Sequence, residues 1–176
     1  EGGPVLLVET SDCCGGGAAG DSVHTLRALL KAKDIGSSMV PVVDPEAARL
    51  CHTHGPGAEL KLQLGHRVDP QWGKSIEVRG YVDRLVEGSF TYSGGIWDGQ
   101  QEDMGPTAVF RTGDVQILIT THGTYDWGTE QFDAAQMGYE SEKFIVAKNP
   151  MNHRRSYAGL SKGVFVLDTP GPTPAT

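Results

Sequence analysis

The sequence predicts an α/β fold: a mixed sheet with parallel β-α-β portions, an antiparallel middle section and helices packed on the sheet. Three observations predict it. An apolar run at residues 5–9 passes through a glycine-rich turn into a helical period carried by Val23, Leu26, Leu29 and Leu30. A second apolar run, 39–43, ends in Asp44-Pro45-Glu46, which supplies an N-cap, a first-turn proline and an acidic first turn for a helix bearing Ala47, Ala48 and Leu50. Residues 58–64 and 76–85 then alternate apolar and polar, the mark of half-exposed antiparallel strands.

The elements follow in order. Asp34-Ile35-Gly36 closes the turn after the first helix, and Gly55-Pro56-Gly57 stops the second. Glu87-Gly88-Ser89 makes a tight connection into Phe90-Thr91-Tyr92. Residues 93–106 show no period and read as a loop carrying an exposed Trp97. Residues 108–111 and 115–120 are strands about a turn at Thr112-Gly113-Asp114, and the apolar density of the second makes it central. Thr129 is expected to cap a helix reaching Met137. A buried strand follows at 144–147, Asn149-Pro150 opens a further helix, and 164–167 is the last strand before a proline-rich tail at 169–176.

The 176 residues fit one domain, long enough to bury roughly 70% of the unfolded surface. Glu1-Gly2-Gly3-Pro4, without a starting Met, leads directly into a strand, and the expectation is a portion of something longer. A net charge of -7, with 15 Lys+Arg against 22 Asp+Glu and no basic run beyond Arg154-Arg155, excludes the electrostatic footprint of a nucleic-acid binder. No apolar run has the ~20 residues of a membrane span. Three cysteines make a poor disulfide framework and point to a reducing compartment, the cytoplasm.

The segments after the apolar strands, SDCCGGGAAGDS, VDPE, THGTYDWGT, KNPMNHRR and DTPGPT, are all polar or glycine-rich. With parallel strands they share one edge, where α/β sheets bind ligands. Gly15, Gly17 and Gly20 fit the dinucleotide fingerprint in outline, with Asp44 ending the next strand, although Ser11-Asp12-Cys13-Cys14 intervene. A phosphate loop fits less well, because Asp21 stands where a lysine belongs. The plainer reading is a glycine turn with Asp21 or Ser22 as helix cap.

Cys13 or Cys14 near a helix start could act as a nucleophile with His122 or His153 as base, or pack as a small hydrophobe. Cys51-His52-Thr53-His54 lacks metal-ligand spacing on a helix. His122 and His153 could donate to a substrate carbonyl, and Arg154 and Arg155 could clamp a carboxylate or remain solvated.

With those residues in view, the chain resembles the C-terminal domain of MlrC-type metallopeptidases, the microcystinase C-like family. The resemblance lies in GGGAAGDS after a strand, DPEAARLC followed by GPGAEL, DMGPTAVF, KNPMNHRR and VLDTPGPTP. Cys13-Cys14 stand where that family usually carries Asn-Pro. The resemblance implies a two-domain zinc hydrolase whose metal ligands belong to an N-terminal domain. That domain would be this chain's partner, the substrate would be a small peptide or amide, and this chain alone would be inactive. It places Asp12, Gly15, Gly16, Gly17, Gly20, Asp21, Ser22, His122, Asn152, His153 and Arg154 at the substrate cleft. Two other functions remain open: a free-standing nucleotide- or anion-binding module using residues 15–20, and a structural domain that forms a homo-oligomer through Trp97.

Overall fold

The computed structural model describes residues 3–32 and 34–174. Glu1-Gly2 and the last two residues of the expected tail lie outside the described residues. Among the described residues the strands are β1 (Val5–Glu9), β2 (Ser38–Val43), β3 (Glu59–Leu64), β4 (Ile76–Val86), β5 (Ser89–Thr91), β6 (Gln101–Asp103), β7 (Thr107–Thr112), β8 (Val115–Thr120), β9 (Phe144–Ala147) and β10 (Gly163–Leu167). Four helices are α1 (His24–Lys31), α2 (Pro45–His54), α3 (Glu130–Ala134) and α4 (His153–Ser156).

Eight strands form one sheet in the order β10-β1-β9-β2-β8-β7-β4-β3. The first five are mutually parallel, and β8, β7, β4 and β3 pair antiparallel. The chain thus has the expected mixed α/β architecture. Travel from β1 to β2 runs one way across the sheet, while β8 to β9 and β9 to β10 run the other way. A constant crossover hand then requires helices on opposite faces. Leu26 and Leu29 of α1 and Ala47, Ala48 and Cys51 of α2 pack with Val40, Val42, Ile117, Ile119 and Phe110 on one face. Phe132 of α3 and Tyr157 after α4 pack with Leu6, Val8, Met39, Leu118 and Ile145 on the other. Coverage on both faces is why β2 and β8 are buried at every position and read as mainly apolar runs without alternation.

Asp44 caps α2 as expected, accepting from Ala47 N at 3.0 Å, and Pro45 opens the helix. Several other expectations are corrected. The 93–106 stretch contains β6, which pairs with β5 in a separate two-stranded sheet; three-residue strands are too short for a period to show. Trp97 is half-buried between the rings of Tyr92 and Tyr125, and its neighbour Ile96 is the exposed residue. α3 is shorter than expected, and Thr129 Oγ1 donates to the Asp133 side chain instead of capping the helix. Leu30 lies on the exposed side of α1.

The residue before α1, Val23, makes no side-chain cap, and Ser22 Oγ accepts a long hydrogen bond from His24 N at 3.4 Å. Asp21 turns away from the helix and accepts from Val68 N and Asp69 N at 2.8 and 2.9 Å, which pins the loop after β3. The described part of the tail folds back on the glycine loop: Thr169 Oγ1 and Ser11 Oγ lie 2.6 Å apart, and Thr173 N donates to the Ser11 carbonyl.

Candidate functional site

The five polar segments do converge, because β1, β2, β8, β9 and β10 all point the same way. What they build is a buried polar network under an exposed surface. β1 ends in Glu9, whose buried carboxylate accepts from Ser22 Oγ at 2.5 Å and Thr25 Oγ1 at 2.6 Å. Asp12 accepts from Gly20 N at 2.9 Å and Ser22 N at 2.7 Å. Lys148, the first residue past β9, is buried and donates from Nζ to Asp12 Oδ2 (2.8 Å) and to the carbonyls of Gly20 (2.9 Å) and Ser22 (3.0 Å). All three ammonium donors are therefore engaged. Burial works against its charge, but the Asp12 and Glu9 carboxylates outweigh burial and hold Lys148 above its ordinary value.

This network answers the anion question. The backbone N–H groups at the end of the glycine loop, which would receive a phosphate, are taken by the protein's own Asp12. Gly16 N and Gly17 N donate to the carbonyls of Cys13 and Cys14 within the turn. Asp44, which a ribose would need, is committed to Ala47 N and Gly65 N. Gly20 is required by geometry: its φ is +76°, and a Cβ there would lie 2.5 Å from Cys14 Sγ.

Burial pushes the Cys14 thiol up to about 12 and raises Cys13 as well, so neither rests as the thiolate a nucleophile needs. Cys13 is buried and Cys14 nearly so, which makes them the small packing residues of the plainer reading.

The solvent side is different. Gly15, Gly16 and Gly17 are exposed, and a Cβ on Gly15 would run into the Tyr125 ring. Tyr125 OH accepts from Asn152 Nδ2 at 2.6 Å. The rings of Phe90, Tyr92, Trp97, Tyr125 and Trp127 follow one another with centroids 5.0 to 6.2 Å apart, and the Arg155 guanidinium lies 5.6 Å from the Trp127 ring centre. Among the expected site residues, His122 and Arg154 are exposed and Asn152 half-exposed. Asp12, Gly20, Asp21, Ser22 and His153 are buried. His153 Nδ1 lies 2.9 Å from the Asn149 carbonyl, and Asn149 Oδ1 accepts from Asn152 N at 2.8 Å.

Sequence reasoning missed Glu9, Thr25, Asp126 and Lys148. The available signal was a charged residue directly at or after the end of an apolar strand, as at Glu9 and Lys148. Metal holding fits poorly here: among the described residues no group of three or more His, Cys, Asp and Glu is placed to hold an ion. Cys51 is buried, and His52 Nε2 lies 3.1 Å from the Thr107 carbonyl. No helix among the described residues is long and apolar enough to cross a membrane.

Fold and site together define a three-layer α/β domain whose loop edge is rigidly supported and carries no metal constellation of its own among the described residues. A family model described as MlrC C-terminus matches residues 7–176, and the chain belongs to that family. It is 27% identical over 164 residues to Microcystinase C of Sphingomonas sp., covering 93% of this chain and 32% of that protein. It also matches the crystal structure of a "putative metallopeptidase" from Mesorhizobium sp. BNC1 with a TM-score of 0.87 and 25% identity, covering 97% of this chain and 34% of that one. The chain spans about a third of the length of these relatives.

Proposed function

We propose that this chain is the C-terminal domain of a longer MlrC-type metallopeptidase or amidohydrolase of the cytoplasm, where its loop edge forms one wall of the substrate cleft. The observation that carries the reading is the family match over residues 7–176 in a chain a third as long as its relatives. Among the described residues no donor set is placed to hold a metal, and on this reading the ligands of the expected zinc belong to an N-terminal domain, the partner that faces this edge.

On this reading the exposed groups meet a small peptide or amide: the Gly15–Gly17 backbone, His122, Asn152 and Arg154. Arg154 supplies a forked donor for a carboxylate and Asn152 a neutral amide donor. The buried groups Asp12, Gly20, Asp21, Ser22 and His153 act by position. They hold the turn fixed, so that the exposed groups are presented in one arrangement, and a preorganised site serves a developing charge better than a mobile one.

Gly16→Trp in the full-length enzyme tests this. Gly16 is exposed and does not have positive φ, and its Cβ would meet Thr173 Cγ2 at 3.0 Å and Cys13 Cβ at 3.9 Å, so a side chain there requires the tail at Thr173 to shift by a few tenths of an ångström. The expected result is an about 100-fold loss of catalytic efficiency with thermal stability and bound metal retained, equivalent to about 3 kcal/mol of lost transition-state stabilisation. Unchanged kinetics would remove the loop from the cleft.

A further inference from the structure

Beneath the glycine loop lies a cavity of about 20 Å³ to which Thr120, Thr124, Asp126, Gln131 and Lys148 bring polar groups, the rest of its lining being Cys14, Gly20 and residues 41–43 of β2. Asp126 is 5% exposed. Its Oδ2 accepts from Lys148 N at 2.7 Å, and its Oδ1 finds no donor among the described protein groups. The Thr124 hydroxyl accepts from Gln131 Nε2 at 2.7 Å and keeps its own proton to give. Thr120 Oγ1 donates to the His122 carbonyl at 3.0 Å and keeps a lone pair.

The dimensions and charges select the occupant. A site of this size holds one water, which needs at least about 10–15 Å³ and two to four polar partners. The Lys148 ammonium on its wall opposes a cation, the Asp126 carboxyl opposes an anion, and the volume rejects anything larger than one small molecule. We propose that this cavity is a binding site for a single water molecule, which donates to Asp126 Oδ1 and Thr120 Oγ1 and accepts from Thr124. It ties the end of β8 to the loop that follows it.

Asp126 brings a proton to the same site. Burial pushes its carboxyl up to about 7, with Glu130 adding to the rise and the Lys148 N–H and ammonium opposing it. The other titratable groups facing it are Cys13 and Cys14 of the glycine loop, Tyr92 after β5, the adjacent Tyr125, and Tyr157 after α4. A folded value above the unfolded 3.8 means that the folded chain binds the extra proton between about pH 4 and pH 7. Stability from this group therefore falls as pH rises through that window and is level above it. A water can donate to the carboxylate or accept from the acid, so it serves both states.

The test is a crystal structure of the protein at a resolution that shows ordered water, paired with infrared difference spectra across pH. The expected result is one ordered water within hydrogen-bond distance of Asp126 Oδ1, and a carboxylic-acid carbonyl band that disappears as pH rises through about 7. That band is absent from Asp126→Asn. A dry cavity, or a peak whose anomalous signal after rubidium soaking identifies a cation, would overturn the water site. A band that persists in Asp126→Asn, or none in the parent protein near pH 5, would overturn the proton. Thr124→Val leaves Asp126 untouched and keeps the fold. It is expected to lower the occupancy of the water while the band remains, and unchanged occupancy would contradict the three-partner site.

Discussion

The five parallel strands and the three-stranded antiparallel wing belong to one sheet but place their charges in opposite ways. At the parallel end Lys148 and Asp12 pair at 2.8 Å with side chains 4% exposed. On the wing Lys61 and Glu77 pair at 2.6 Å with side chains 54% and 39% exposed, and Arg79 joins them at 3.3 Å. Topology accounts for the difference. Parallel strands deliver the loop that leaves each of them to the same edge, so polar groups crowd there and must satisfy one another out of water. Antiparallel strands send alternate loops to opposite ends, and one face of each strand keeps its charges solvated. A loop edge supported by a buried polar network therefore arises in the parallel half.

Substitutions can break this contrast, and the largest effect should come at its centre. Lys148→Ala leaves Asp12 buried without its cation, removes the Lys148 donor from the Ser22 carbonyl and leaves the Gly20 carbonyl with Val43 N alone. A loss of about 3–5 kcal/mol in denaturant unfolding is expected, with Lys148→Met milder because it refills the volume. Asp44→Ala comes next: it removes the α2 cap and the acceptor of Gly65 N, and about 2 kcal/mol should be lost by the same measurement. Lys61→Ala on the wing should leave the unfolding midpoint unchanged, as exposed pairs contribute little. Equal losses at Lys148 and Lys61 would erase the distinction between the two halves.

The parallel half was also the more legible in sequence. Each of its strands is an apolar run closed by a polar segment, and the Asp-Pro-Glu signal located α2 because cap chemistry is local. The alternation of 58–64 and 76–85 likewise marked the wing. Elements whose form depends on distant partners were hidden. Three-residue β5 and β6 carry no period of their own, and one of the two rings that flank Trp97, Tyr125, arrives from a later loop.

The candidate site divides the same way. The convergence of five loops followed from strand order in the sequence, but the roles of individual side chains did not. Asp21 resembles a helix cap in one dimension and proves to be an anchor for residues 68 and 69 in three. Lys148 is 136 positions from Asp12, so nothing local marked it as the centre of the network.

The most direct test of an edge that shapes a cleft without holding the metal is the zinc content and peptide hydrolysis of this 176-residue chain, measured beside the longer polypeptide. The account predicts stoichiometric zinc and hydrolysis in the longer polypeptide, and neither in this chain alone. Stoichiometric zinc with activity in this chain would contradict it, and would return Cys51, His52, His54 and His122 as the residues to examine for ligation.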